Sequence, residues 1–449
     1  MTRGGARAPG ANHGKTVSVA VTAFDADGLA VGALDDDRRV HVKGVGRAAV
    51  GASAEVDVQV VKRRRGAVFG IVEGRAAASA AACRAYPRCG GCAIQHLGAR
   101  EQIALKRDKL VSLLVSAGVG LDAAPTIVSG PQYHYRRRAR LGVRHLRDRD
   151  ETLVGFRESF GSRIARIDAC LVLVEPLATA LPPIRRAVAQ LDACARVPQV
   201  ELAAGDDAGA VVVRHLDPLS DRDRAALLAL ERDCGLEVCV QGQGLDSIAR
   251  VDGAPSRGLR YRLDRFGVAL AFSPSDFVQV NGDLNRELVA TAVTLLAPAR
   301  GAAVADLFSG IGNFALPLAR VGAQVTAIDS TAALASAAQR NANTNGLGAR
   351  VEVLNADLYG PLAPEVVARL ARVDAALVDP PRTGLGPVVS ALAAAERLSR
   401  VVYASCDAQS FARDAAQLDA LGFSLSRLYL FDMFPHTGHA ETLALLERR

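Results

Sequence analysis

The chain has 449 residues, half of them hydrophobic and 22% charged, which supplies more than one apolar core and excludes wholesale disorder. Its net charge is +7, yet residues 1–150 carry +12 and residues 151–449 carry −5, so a basic part suited to a polyanion (RNA or DNA) precedes a mildly acidic remainder. No apolar run reaches the roughly 18 residues of a membrane span, and no apolar stretch follows the basic N-terminus, so a cytoplasmic protein without a membrane partner is expected.

Residues 1–14 are Gly- and Ala-rich without periodicity and read as a tail. From there to residue 74 the runs KTVSVAVTAF, RVHVKGV, AEVDVQVVKRR and GAVFGIVEG are separated by Gly and Asp turns, which predicts a small β-barrel with Lys62, Arg63, Arg64 and Arg65 on its last hairpin. Of eight cysteines, Cys83, Cys89 and Cys92 fall within ten residues, a grouping that argues against a disulfide scaffold and for metal. Residues 100–118 carry Ile103, Leu105, Leu110, Leu113 and Leu114 at a helical period. The region 130–268 reads largely as strands and opens on seven Arg between 136 and 149, which in a strand would form a basic stripe on one face.

From about 270 the texture changes. Ala-rich helical stretches (287–298, 331–343, 388–398 and 408–421) alternate with AAVADLF, AQVTAID, ARVEVLNAD, DAALVDPP and RVVYASC, the pattern of a doubly wound α/β sheet. The expected domains are a barrel at 14–74, a β-rich central domain at 75–268, within which 99–124 is a candidate to pack on the catalytic domain, and a Rossmann-like domain at 269–449.

In the last of these, Asp306-Leu307-Phe308-Ser309-Gly310-Ile311-Gly312-Asn313-Phe314 sets two glycines between a strand and a helix, where the backbone must turn tightly beside a ligand. The next strand ends in Asp329, placed to accept from ribose hydroxyls, and a third in Asp357, placed to reach an adenine. The loop lacks the third glycine of a dinucleotide fingerprint, which leans towards S-adenosylmethionine.

The fourth strand ends in Asp379-Pro380-Pro381-Arg382, a rigid loop that aims Asp379 out of the sheet edge. The fifth ends at Cys406, a nucleophile candidate beside the crevice. Phe434-Pro435-His436-Thr437-Gly438-His439-Ala440-Glu441 brings two His and a Glu together for acid–base work. Cys406 and Glu441 fit one reaction. A thiolate adding at uracil C6 makes C5 nucleophilic enough to take a methyl group, and a base then removes the C5 proton.

At these residues the chain resembles the uracil-C5 RNA methyltransferase family, over nearly its whole length. The matching motifs are Phe272-Ser273-Pro274-x-x-Phe277-x-Gln279-Val280-Asn281, the Asp306 loop, Asp379-Pro380-Pro381-Arg382, Ser405-Cys406 and Phe434-Pro435-His436-Thr437-x-His439-x-Glu441. The resemblance implies that Gln279, Phe308, Asn313, Asp329, Asp357 and Asp379 contact S-adenosylmethionine, that Asp379 also positions the uracil, that Cys406 is the nucleophile and that Glu441 is the base. Two departures stand out: Asp407 replaces the usual Asn and is expected to raise the Cys406 pKa, and Ala440 replaces a frequent Val.

Cys83, Cys89 and Cys92, with Cys170 far downstream, suit a [4Fe–4S] cluster or a zinc ion; a three-plus-one arrangement favours the cluster, and the resemblance implies it. The first 75 residues resemble the TRAM domain, an OB-like RNA-binding barrel, through Asp27-Gly28-Leu29-Ala30-Val31-Gly32 and GAVFGIVEG. Barrel and cluster together imply the branch that forms 5-methyluridine at a loop uridine of bacterial 23S ribosomal RNA, acting as a monomer without an obligate protein partner. The alternatives are the same chemistry on a tRNA or another rRNA site, an idle RNA-binding or assembly protein, and an adenine amino-methyltransferase; the last two have no use for both Cys406 and Glu441.

Overall fold

The computed structural model describes residues 15–34, 37–46, 49–50, 55–64, 67–73 and 81–449. The expected tail at 1–14 and Arg65 lie outside the described residues. The chain forms two compact units. One takes Met1–Leu105, Leu141–Cys170 and His436–Gly438; the other takes Lys106–Arg140, Leu171–Pro435 and His439–Arg449. No described helix is long and apolar enough to cross a membrane.

In the first unit, strands Thr16–Phe24, Ala30–Ala33, Arg39–Lys43, Glu55–Arg64 and Ala67–Val72 close into a barrel. The order is first, second, third, fifth, fourth, and the fourth pairs back onto the first. Alternating valines drive closure: Val19, Val21, Val40, Val42, Val56, Val58 and Val60 all point inward and are at most 2% exposed. Burying each contributes about 1.5–3 kcal/mol. The turn after the first strand is fixed by Asp25, whose carboxylate accepts from the amides of Asp27 and Leu29 and meets His41 at 2.6 Å.

The second unit is built on an eight-stranded sheet. Its parallel strands, in chain order, are Ala303–Leu307, Gln324–Asp329, Val351–Asn355, Ala375–Val378 and Arg400–Ser405, followed by Phe423–Phe431 and Glu441–Arg448. Their order across the sheet is third, second, first, fourth, fifth, seventh, sixth, with the seventh antiparallel to the fifth. Thr126–Val128 adds an eighth strand parallel to the sixth. Alternation sorts the two faces: Val304, Val402 and Ala404 pack with Leu288, Phe314 and Leu318, whereas Ala305, Leu307, Val401 and Tyr403 pack with Leu110, Leu114, Val388 and Phe411. The doubly wound sheet is as expected, and Leu110 and Leu114 join one of its faces.

The middle region departs from the expected run of strands. Beside Gln199–Ala204, Gly209–Arg214 and Glu237–Gln241 it holds helices Leu181–Gln190 and Asp221–Cys234. The second helix carries a complete punctuation: Ser220 and Asp223 form a capping box, and Gly235 ends the helix in the left-handed conformation. The arginine stripe is present, since Arg138 and Arg140 lie on the less buried side of their strand, but it is not free charge. Arg138 donates to the Ser275 carbonyl at 2.9 Å and also to the Asp276 carbonyl, and both arginines reach Glu201.

Candidate active site and cysteine cluster

The strand Ala303–Leu307 runs directly into the glycine loop. Phe308 takes a left-handed φ of +62°, a conformation that costs a non-glycine residue about 1–3 kcal/mol and recurs at functional sites. Gly312 at φ +96° is required twice over, because a Cβ there would also sit 2.4 Å from Leu316 Cδ1. At Gly310 a Cβ would meet nothing within 4 Å, so the loop is open on that side. Asp329 at the tip of the second strand accepts from the amides of Gly310 (3.0 Å) and Thr331 (2.8 Å), and each carboxylate oxygen keeps a lone pair for a ligand. Asn313 exchanges amide hydrogen bonds with Asn285, both 3.0 Å, and accepts from Tyr261 at 2.9 Å. Asp357 is engaged locally by the Tyr359 amide at 2.8 Å. Gln279, two residues before the N-cap Asn281, donates to Asp379 at 3.4 Å.

The two groups expected to react meet at the carboxyl edge of the sheet. Ser405 pairs with Thr442, so Cys406 and Glu441 occupy the next facing positions beyond the ladder. Glu441 is 1% exposed, and neither carboxylate oxygen has a hydrogen-bond partner within the described residues. Burial, then the negative charge of Asp379, pushes its pKa well above the carboxylate range. Asp379 is shifted in the same direction by desolvation and pulled back by Gln279. Asp306, fully buried at the head of the loop, has its pKa raised by burial and by Asp379; the Ala315 amide is near its carboxylate, but neither oxygen makes a hydrogen bond of standard geometry. The Cys406 thiol is pushed up to about 11, first by burial, then by Glu441 and Asp379, while Arg382 acts through charge and hydrogen bonding to lower it.

Asp407 caps the helix Ala408–Ala420, its carboxylate accepting from the Ser410 amide at 2.9 Å, and the acids that weigh most on the thiol are Glu441 and Asp379. His439 is held towards its neutral form by burial and by Arg382, Lys109 and Lys106.

The model of the family described as tRNA (Uracil-5-)-methyltransferase matches residues 99–449. The chain belongs to this uracil-5 methyltransferase family. The protein named 23S rRNA (uracil(1939)-C(5))-methyltransferase RlmD of Aromatoleum aromaticum is 38% identical over 92% of this chain and 98% of its own length. Proteins of the same name from Hahella chejuensis (39% identical, over 82% of this chain and 83% of its own) and Azoarcus sp. (40%, over 82% and 85%) are similar too. Among solved structures, the Pyrococcus abyssi tRNA (uracil-54, C5)-methyltransferase in complex with S-adenosyl-L-homocysteine matches with a TM-score of 0.69 and 23% identity, covering 96% of this chain and 100% of that one, which establishes a shared fold.

This member of the uracil-5 methyltransferase family gathers Cys83, Cys89, Cys92 and Cys170 in its first unit as part-buried cysteines, none in a disulfide. Burial raises the pKa of Cys89 and of Cys92, the latter to about 12; Cys92 feels the charge of the other three cysteines, and Cys89 that of Cys83 and Cys170. Donors surround them: the Gly91 amide reaches Cys89 Sγ at 3.4 Å and Gln95 Nε2 reaches Cys92 Sγ at 3.9 Å. Lys43, 3% exposed, bonds the Cys89 carbonyl at 2.9 Å and Ser159 at 2.6 Å. Among the described residues no group of three or more His, Cys, Asp or Glu stands at the spacing of a metal-ion site. Cys194, Cys234 and Cys239 belong to the second unit.

Sequence reasoning named Arg382 only as part of a motif and assigned Asp306 no role beyond its loop. Arg382 was findable, being three residues from Asp379 on the same rigid turn. The buried pair of Lys106 Nζ and Asp432 Oδ1, 2.5 Å apart and at most 1% exposed, had no signal in the sequence.

Proposed function

We propose that the protein forms 5-methyluridine at a loop uridine of bacterial 23S ribosomal RNA, using S-adenosylmethionine. The observation that carries the chemistry is the facing position of Cys406 and Glu441 beside Asp379. The choice of RNA rests on the names of the similar proteins.

In this reading Gln279, Phe308, Asn313, Asp329, Asp357 and Asp379 hold the cofactor, and the open side of Gly310 leaves room for it. When bound, S-adenosylmethionine supplies the methyl group to uracil C5. Arg382 favours the Cys406 thiolate, whose sulfur bonds to C6 and moves electron density onto C5. Asp379 holds the uracil and the methyl donor in line. After transfer, the Glu441 carboxylate takes the C5 proton, the C5–C6 double bond re-forms, and the C6–S bond breaks with its electron pair returning to Cys406. A target inside a folded loop has to be turned out of its stack to reach the thiol.

Cys83, Cys89, Cys92 and Cys170 hold a [4Fe–4S] cluster. The residues fit the group: four cysteines outside any disulfide, Cys92 within electrostatic reach of the other three, with N–H donors aimed at sulfur. A cubane also spreads its thiolates more widely than a single ion does. Bound by all four cysteines, such a cluster would serve a structural role, tying the 83–92 loop to the segment at 170. The barrel acts as an OB-like, TRAM-type docking module for RNA. The protein works in the cytoplasm as a monomer. The deciding experiment is methylation of unmodified 23S RNA and of tRNA with labelled cofactor, followed by mapping: label at one uridine of 23S RNA supports the reading, label in tRNA alone replaces the substrate, and label on adenine overturns the chemistry.

A further inference from the structure

The loop Asp379–Gly386 joins the two halves of the site, and its far end is fastened in an unusual way. Helix Ala408–Ala420 contributes Asp414, which is 1% exposed and accepts from the Leu385 amide at 2.6 Å and from the Tyr403 hydroxyl at 2.8 Å. The neighbouring Arg413 braces the other oxygen of Asp414 and donates to the Thr383 carbonyl at 2.7 Å. Gly384 is forced here: its φ is +83°, and a Cβ would lie 2.3 Å from both Arg413 Nη2 and Asp414 Oδ2. From the opposite side Tyr359 closes the clamp. Its hydroxyl accepts from Thr383 Oγ1 and donates to the Gly384 carbonyl, each at 2.7 Å.

Tyr359 belongs to a different strand–helix connection, the one that carries Asp357. Its amide donates to Asp357 Oδ1 at 2.8 Å, and its ring lies 5.7 Å from that of Phe308, tilted by 45°. It is 41% exposed, so one side of the ring is bare. Tyr359 therefore meets two of the residues assigned to the cofactor, Phe308 through its ring and Asp357 through its backbone amide, while its hydroxyl pins the loop that carries Asp379 and Arg382, the groups that bear on Cys406.

We propose that Tyr359 is a positioning residue that couples the cofactor crevice to the uracil side of the site, its ring walling the crevice and its hydroxyl fixing the Pro-Pro-Arg loop. This rests on the cofactor and nucleophile assignments above. The two functions separate by atom. Tyr359→Phe keeps the wall and loses the pin, whereas Tyr359→Ala loses both. Thr383→Val removes the partner hydroxyl and should act like Tyr359→Phe.

Three measurements on the full-length protein test it: calorimetric affinity for S-adenosylhomocysteine, the rate of Cys406 alkylation by iodoacetamide followed on its own peptide by mass spectrometry, and the rate of adduct formation with 23S RNA containing 5-fluorouridine. Tyr359→Phe and Thr383→Val should bind S-adenosylhomocysteine within about twofold of wild type, alkylate Cys406 about 3- to 10-fold more slowly as Arg382 loses its fixed place, and form adduct about 10- to 100-fold more slowly. Tyr359→Ala should weaken S-adenosylhomocysteine as well. Wild-type alkylation and adduct rates in Tyr359→Phe overturn the proposal, and so does a loss of S-adenosylhomocysteine affinity equal to that of Tyr359→Ala. If wild type forms no adduct while Tyr359→Phe still slows alkylation, the methyltransferase reading fails and the tie through Tyr359 stands.

Discussion

Cys406 and Glu441 face each other one step beyond the Ser405–Thr442 pair, at the open end of two antiparallel strands. The proposed nucleophile is thereby opposed by its proposed base: an ionised Glu441 disfavours the Cys406 thiolate, and by the same charge repulsion a thiolate disfavours ionised Glu441. In the reaction proposed above, the order of steps would resolve the conflict: Glu441, held towards its neutral form by burial, would not oppose the attacking thiolate, and once sulfur is bonded to carbon and its charge is gone, Glu441 would ionise more readily and give the C5 proton an acceptor.

Glu441→Gln should therefore permit attack and methyl transfer but block proton removal. A methylated enzyme–RNA adduct should accumulate and survive a denaturing gel. Cys406→Ala should bind S-adenosylhomocysteine and form no adduct, with this RNA or with a 5-fluorouridine substrate. Turnover by Cys406→Ala would remove the thiol from the mechanism.

The thiol pKa of about 11 makes reactivity climb with pH through the neutral and mildly alkaline range, close to tenfold per unit while thiol predominates. Arg382→Gln removes the group that lowers it, so the alkylation profile of Cys406 should move to higher pH. A profile that levels off below pH 9 in the wild type would contradict this account of the thiol's surroundings.

Three buried acids, Asp306, Asp379 and Glu441, have pKa values raised by folding. The sign follows: full stability is kept below the ordinary carboxylate pKa of the unfolded chain and is lost as pH rises towards the folded value. Glu441→Gln replaces an acid that lacks a hydrogen-bond partner with a neutral amide, and at pH 8 it should stabilise the fold by about 1–3 kcal/mol. Near pH 4 the gain should vanish. Thermal melts at both pH values measure it, and equal gains at both would mean the carboxylate is not destabilised by burial.

Protein purified without air should be brown and hold about four irons per chain. Serine at Cys83, Cys89, Cys92 or Cys170 should each lose colour and soluble yield, whereas Cys194→Ser should keep both. A colourless wild type with one zinc would reject the cluster.

Local chemistry was written in the sequence. The glycine loop from Asp306, the acids at the tips of successive strands, the Asp379 loop, Cys406 and Glu441 could all be picked out, because strand–loop–helix units recur in a short stretch and each motif is contiguous. The valine alternation of Val40, Val42, Val56 and Val58 likewise announced the barrel. Asp221–Cys234 interrupts the expected run of strands, and Ser220, Asp223 and Gly235 mark both of its ends in the sequence.

Asp407 marks the limit most clearly. By sequence it adjoins Cys406 and looks like the charge that matters; by geometry its carboxylate turns to the Ser410 amide and caps a helix. The charges that weigh most on the thiol belong to Glu441 and to Asp379 and Arg382 on a single loop, all distant from Cys406 along the chain. Residue types, their spacing and the strand–helix rhythm determined the fold class and the candidate chemistry, because those depend on neighbours along the chain. Which acid opposes the thiol, how Tyr359 meets the Gly384 carbonyl and how Lys106 finds Asp432 were decided by the tertiary structure alone, because strand register and side-chain packing join residues that no local pattern connects.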